Sequence, residues 1–399
     1  MLKNVNTPCV VVASGGCWGG LLSFLRSLGS RGVPVYLIGV GCDLAVAQAS
    51  RYCAGFVRLP LNEEEEVAGD LLAWRRNMGW SNNPVLFCLS ERLGRMFCSQ
   101  REVLEEGFVV SMPEAKVLAP LLRKDSGLAI AHSAGLKAPQ SWTVMSVNDL
   151  ATVVDTVELP AIIKPLGADT LGRVSYKADI VTVRGELESL GKMYLSGRSK
   201  FVVQQYIPGG DGNLWAYLFY KSRYTGALYH WTGRKLRQSP ASAGIMALGE
   251  SRYAPHVAKA GQRFVEAAGY WGLGGVEFKE YQNELYFIEM NPRAEAIQSM
   301  AIADGIDLPA LAYAEATGQG MPQPKPQMSI SRYVDGEACL GNLANSSERL
   351  GQGMEVLGQL FRKNVVCPVW SRDDPKPFLR SVILTVMQRF KRMISAKAR

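Results

Sequence analysis

Gly275 to Arg293, GVEFKEYQNELYFIEMNPR, limits the fold more than any other stretch of this 399-residue chain. It reads as two β-strands joined by a tight loop. Side chains two residues apart on a strand point to the same face, so Glu289 and Asn291 share a face of the second strand. Loop length then decides where Glu277 falls. A two-residue turn at Gln282 and Asn283 would put Glu277 on the face opposite Glu289. A three-residue loop, Gln282 to Glu284, would set Glu277 directly across from Glu289. The three-residue register is the one expected, because it gathers two carboxylates and an amide oxygen about one point. Hard oxygen ligands of that kind suit Mg²⁺ carrying substrate phosphates. The bland alternative is a solvent-facing hairpin with ordinary charges. It leaves unexplained why Pro292 and Arg293 follow at once, where a cation would meet an anionic ligand.

Ahead of the hairpin, residues 8 to 110 read as a small α/β unit. The apolar run Cys9–Ala13 is a buried strand, Ser14 to Gly20 a glycine-rich turn, and Leu21 to Gly29 a helix. Further strands are expected at Val33–Val40, Phe56–Leu59 and Val85–Leu89. A helix from Asn62 to Met78 opens with four glutamates, which favour a helix N-terminus. This alternation predicts a parallel, doubly wound sheet. The glycine turn does not match G-x-G-x-x-G, because Cys17 stands where the second glycine belongs; a tight strand–helix turn is the reading.

Helices over Glu114–Leu122 and Ser126–Ala134 follow, with Lys124 in the link between them. Ala161-Ile162-Ile163 is a buried strand ending in Lys164, ahead of the polar loop Gly167 to Gly172. A lysine at a strand end beside such a loop suits nucleotide phosphates, with loop N–H groups closing over the oxygens. An edge strand with a solvated turn fits the same residues. Phe201 to Ile207 is a strand running into Pro208-Gly209-Gly210; it can offer backbone groups to an adenine edge, with Asp211 placed to accept ribose hydroxyls. Antiparallel strands at Trp215–Tyr220 and Ala227–Trp231 lead to Thr232–Gln238, whose cations ordinarily mean a solvated loop. Helices are expected over Arg252–Ala268 and Ile297–Ala303, and Pro322, Pro324 and Pro326 mark a linker.

No apolar run reaches the roughly 18 residues that a membrane span requires, and the N-terminus lacks a signal-peptide layout. Eight scattered cysteines without a C-x-x-C pair make a reduced, cytoplasmic protein the default, and three histidines argue against a His-rich metal site. The net charge is +8, but six Lys or Arg and no acid lie between Arg380 and Arg399. The excess is therefore a C-terminal feature and not a nucleic-acid groove. There Leu379, Val382, Ile383, Val386, Met387, Phe390 and Ile394 make one apolar helical stripe, with Arg389, Lys391 and Arg392 outside it. Docking on the body is the expected role; lying on an anionic membrane surface is the alternative.

Taken together, these pieces resemble the ATP-grasp superfamily, and within it the carboxylate–amine ligase group that includes D-aspartate-ligase-like and carbamoyl-phosphate-synthase-like proteins. The matching segments stand in family order: the N-terminal unit, Lys124, Ile163-Lys164-Pro165, Gln204 to Gly209, Glu277 with Glu289-Met290-Asn291-Pro292-Arg293, and Ala303 to Pro309. The resemblance implies an α/β fold with α+β elements. It divides into a doubly wound pre-ATP-grasp domain over residues 1–113, a two-lobed ATP-grasp domain over 114–325 with its lid at about 140–205, and a C-terminal extension over 326–399. It further implies that Lys124 and Lys164 are nucleotide lysines, that Gln204, Gln205, Tyr206 and Ile207 form the adenine hinge, and that Asp211 is the ribose acid. Lys235 and Arg237 become phosphate cations, Glu277, Glu289 and Asn291 the Mg²⁺ ligands, and Arg293 the residue facing phosphate or substrate carboxylate. Two features depart from the pattern: Gln204 stands where many relatives carry Glu, and the loop Gly167 to Gly172 is not Gly/Ser-rich. The implied activity is ADP-forming ligation of a small-molecule carboxylate to an amine, using ATP with Mg²⁺ or Mn²⁺, as one ion or two. No nucleic acid is implied, and a homodimer is compatible. A small-molecule kinase, a carboxylase-type enzyme and a non-catalytic nucleotide-binding protein are the alternatives.

Overall fold

Five consecutive apolar residues need cover on both faces, and β1 (Cys9–Ala13) finds it at the centre of a parallel sheet. The computed structural model describes residues 7–15, 18–61, 64–167, 178–240, 244–345, 349–360 and 362–397. β2 (Val35–Val40), β3 (Cys53–Leu59), β4 (Val85–Cys88) and β5 (Val109–Val110) complete the sheet in the order β3-β2-β1-β4-β5. α1 (Trp18–Gly29) packs on one face, and α2 (Glu64–Asn77) and α3 (Glu91–Ser99) on the other, so the sheet is doubly wound as expected. Strand order reverses between β1 and β4, and the crevice at their carboxyl ends is where ligands of such sheets bind.

After α4 (Arg101–Glu105) and α5 (Ala115–Leu121) comes α6 (Lys124–Ser133). Lys124, expected in a link, is the first residue of α6: Arg123 alone is extended, and the Lys124 N–H donates to Leu166 O. A second, antiparallel sheet holds β6 (Ser141–Val144), β7 (Ala161–Pro165), β8 (Asp179–Val181) and β9 (Phe201–Gln205) in the order β6-β9-β7-β8. With α7 (Val147–Thr156) and α8 (Arg184–Ser196) it encloses its own core, including Val144, Leu150, Ile163, Leu187 and Phe201. From Ala168 onward, the loop singled out as Gly167 to Gly172 lies outside the described residues.

The third sheet comprises β10 (Leu214–Lys221), β11 (Leu228–Ser239), β12 (Ile245–Ser251), β13 (Gly272–Tyr281), β14 (Glu284–Asn291), β15 (Arg332–Val334) and β16 (Val365–Val366), ordered β14-β13-β10-β11-β12-β15-β16. Alternation along β10 joins it to both cores of the first sheet. Trp215, Tyr217 and Phe219 share a core with α9 (Pro255–Ala267), while Ala216, Leu218 and Tyr220 share one with α1, α10 (Gln298–Ala303) and α11 (Leu308–Ala316). The basic stretch Thr232–Gln238, a composition that ordinarily means a solvated loop, is the second half of β11, paired with β12 from Gly233 onward. Cross-strand pairing and a buried Trp231 override its charge. α12 (Gly336–Asn345) and α13 (Arg349–Leu360) pack over β12 and β15.

α14 (Lys376–Lys397) differs from the docking expected of it. Its start is held to the first domain by polar groups: buried Asp374 accepts from Ser50 Oγ at 2.7 Å, Arg51 N at 2.9 Å and Arg26 Nε at 3.1 Å. The apolar stripe from Leu379 to Met387 stays exposed.

Asp304 binds the proline-rich segment to the third sheet. It is fully buried and accepts from Trp231 Nε1 at 2.7 Å, from the N–H groups of Ile330 and Ser331 at 3.0 and 3.1 Å, and from the Ser251 hydroxyl. Asp304→Ala leaves the Ile330 and Ser331 N–H groups without an acceptor, and Trp231 Nε1 with only its 3.2 Å bond to Ser251 Oγ, each lost acceptor costing ~1–3 kcal/mol. A destabilisation of about 3 kcal/mol or more is expected, read from the urea midpoint.

Candidate functional site

The turn between β13 and β14 has two residues, Gln282 and Asn283, both at positive φ (50° and 62°), as a type I′ hairpin requires. The three-residue loop expected from the sequence is absent. Carried on unchanged, this turn would set Glu277 opposite Ile288. A β-bulge intervenes: Phe278 pairs with Phe287, and Glu277 with Glu289, leaving Ile288 as the extra residue. The anticipated pairing of the two glutamates therefore arises by another route. Beyond the bulge Gly275 pairs with Asn291, so Asn291 and Glu289 follow one another on the face that carries Glu277.

That face looks into a cavity of about 1010 Å³. Each glutamate has a lysine partner from a distant element. Lys124 Nζ at the start of α6 lies 2.5 Å from Glu289 Oε2, and Lys235 Nζ on β11 lies 2.7 Å from Glu277 Oε1. Burial pulls both ammonium groups toward neutrality, but the neighbouring carboxylates more than offset it. Lys124, facing Glu289 and Glu91, and Lys235, facing Glu277, are held above the ordinary lysine value. Arg293 donates to Glu91 Oε1 at 3.1 Å. Glu91 opens α3, whose N-cap Ser90 shares a 2.6 Å hydrogen bond with Ser14 just beyond β1. The β1/β4 crevice and the hairpin face thus line one cavity, together with Trp18.

Lys164, Gln204, Gln205, Tyr206 and Ile207 also line the cavity. Gln204 is buried and pairs across the sheet with Ile162. Asp211 receives the Gln238 backbone N–H at 2.8 Å and its side-chain amide at 2.9 Å, and Gln238 rather than Asp211 lines the cavity. Arg237 is turned away. Lys235 pairs with Gly249 and Arg237 with Leu248, so the bulge at Leu236 sends the two side chains to opposite faces. Arg237 instead pairs with Glu355 of α13.

Three cavity residues escaped the sequence reading. Lys279 is 6% exposed, with its Nζ 4.5 Å from the centre of the Tyr206 ring; burial lowers its pKa, opposed by Asp211. The period-2 rule applied to Glu277 was signal enough to find it. Glu91 needed the third dimension. Glu295 lies against Gly275, where a Cβ would fall 1.9 Å from its Oε1. Burial and then Glu277 raise its pKa to about 7, against Arg293, Lys235 and a hydrogen bond with Asn291.

The donor set suits Mg²⁺. Two carboxylates and an amide oxygen are hard ligands, and this ion is commonly held by one or two carboxylates plus substrate phosphates. Among the described residues no cluster of three or more His, Cys, Asp or Glu offers a self-sufficient metal cage.

No family model and no curated protein matches the chain. Solved structures do. The biotin carboxylase from Campylobacter jejuni, solved with a β,γ-ATP ligand, superposes at a TM-score of 0.61 and 15% identity, covering 80% of this chain and 73% of that one. An L-amino acid ligase from Bacillus licheniformis gives 0.61 and 16%, covering 80% and 76%. The N5-carboxyaminoimidazole ribonucleotide synthetase from Thermus thermophilus gives 0.60 and 19%, covering 80% and 81%.

The raised pKa of Glu295 has a measurable consequence. A carboxyl that titrates near 7 when folded and near 4.5 when unfolded contributes stability at low pH, which is lost as pH rises through about 7. In protein without divalent ions, Glu295→Gln is expected to flatten the fall in melting temperature between about pH 5 and pH 8. Parallel melting curves of the two proteins across that range provide the check.

Proposed function

We propose, from the ATP-grasp fold that the chain shares with these structures, that it is an ATP-dependent ligase joining a carboxylate to an amine through an acylphosphate. The observation that carries the reading is the facing pair Glu277 and Glu289, each matched with a lysine, in a cavity running from the β9 hinge to the β1/β4 crevice.

In this reading Gln204 to Ile207 hold the base, with Asp211 acting indirectly by ordering Gln238. Lys164 and Lys124 take phosphate oxygens. A substrate carboxylate oxygen attacks the γ-phosphorus as the bond to the ADP oxygen breaks. Two unit charges 4 Å apart repel by about 4 kcal/mol at an effective dielectric of 20, and Lys235 and Arg293 offset that cost. Glu277, Glu289 and Asn291 would hold Mg²⁺, which supplies further neutralisation of phosphate charge. The amine then attacks the acyl carbon, the bond to phosphate breaks, and the amine gives up its proton. The β1/β4 crevice, with Glu91, Arg293 and Trp18, receives the acceptor. An amino acid fits at least one substrate, since that crevice presents both a carboxylate and a guanidinium. Mn²⁺ in place of Mg²⁺, a second ion, action in the cytoplasm and a homodimer complete the proposal; among the described residues no helix is long and apolar enough to cross a membrane.

The test is an ADP-release screen of amino acids taken in pairs, with a bicarbonate arm and mass spectrometry of products. ADP, phosphate and an amide product are expected, and Glu289→Ala should lower turnover by about 10²-fold or more. AMP with pyrophosphate, a phosphorylated product formed without an amine, or unchanged turnover in Glu289→Ala would each overturn the reading.

A further inference from the structure

α14 is the one long element whose apolar face the described body leaves uncovered. Phe378, Leu379, Val382, Ile383, Val386 and Met387 are 41–56% exposed. Their spacing makes two adjacent i, i+4 ridges, a continuous strip on one side of the helix. Trp370 is 47% exposed and meets Phe378 edge-on with ring centroids 5.5 Å apart, which extends the strip beyond the helix start.

Charge says what this strip meets. Residues 376–399 contain seven Lys or Arg and no acid; the remaining 37 cations face 36 acids, so seven of the eight net positive charges belong to this segment. A second copy of the same helix would set cation against cation. No helix among the described residues is apolar enough to span a bilayer. A helix with an apolar strip, basic charge and moderate hydrophobicity instead lies in the interfacial plane of an anionic bilayer.

We propose that α14 docks the protein on an anionic lipid surface. The attachment is firm at the protein end: Asp374 is buried among Ser50, Arg51 and Arg26, and Arg26 also donates to Pro368 O at 3.1 Å and Val369 O at 2.7 Å. Pro368 and Val369 line the cavity of the candidate site. Docking therefore holds one wall of that cavity close to the lipid. The inference stands apart from the ligase reading, because it needs no turnover.

The full chain is mixed with vesicles of phosphatidylcholine alone or with about 30 mol% phosphatidylglycerol, and sedimented. Partition is expected to be at least about tenfold stronger with the anionic lipid, and to fall steeply at about 0.5 M NaCl. Ile383→Glu with Val386→Glu, and separately Arg389→Glu with Lys391→Glu and Arg392→Glu, should each abolish partition while leaving the thermal transition in place. Equal partition to both vesicles overturns the proposal. So does failure to bind either while Ile383→Glu dissolves a dimer, which would assign the strip to a second copy. Binding to duplex DNA in preference to anionic vesicles overturns it as well.

Discussion

Two carboxylates on one sheet face repel each other and lose water, and the arrangement survives only where each has a cation close by. The bulge at Ile288 creates that demand by bringing Glu289 opposite Glu277. Lys124 and Lys235 meet it from elements 165 and 42 residues away in sequence. Removing either lysine would leave a charge that is costly to bury, whereas the intact pairs need only balance their own desolvation. The placement of α6 against β14, and of β11 beside β10, is thus tied to this charge balance. Packing supplies the rest: Phe264 and Phe287 stack 4.6 Å apart directly beside the bulge.

The cavity lies where the three sheets meet. The parallel sheet and the third sheet share two hydrophobic cores through alternate residues of β10, and this joins them into one floor. The β6–β9 sheet has a core of its own. Its described backbone ties to the floor include Lys124 N to Leu166 O, at the very residue whose side chain pairs with Glu289.

Much of this was written in period and order. The apolar run at Cys9–Ala13 and the alternation after it sufficed for the parallel sheet, and Glu289 with Asn291 on one face followed from strand periodicity alone. What failed did so at bulges and at long range. The turn at Gln282 and Asn283 has two residues, and nothing in the sequence marks Ile288 as the residue that restores the register. A bulge at Leu236 likewise splits Lys235 from Arg237, which simple alternation would keep together. The Thr232–Gln238 strand shows cross-strand pairing overruling local composition. The partners of Lys124, Lys235 and Arg293 are contacts between distant elements, and no local pattern announces them.

The lysine–glutamate pairs also bear on how such a cavity could exchange one charge partner for another. Under the proposed reaction, a polyphosphate arrives together with a divalent ion. Glu277 and Glu289 would hold the ion, and Lys124 and Lys235 would take phosphate oxygens. Each group leaves one opposite charge for another, so none passes through an unpaired buried state, which would cost several kcal/mol. Glu295 flanks these pairs. It sits on Gly275, where any side chain would displace it, and burial, with Glu277 beside it, raises its pKa to about 7.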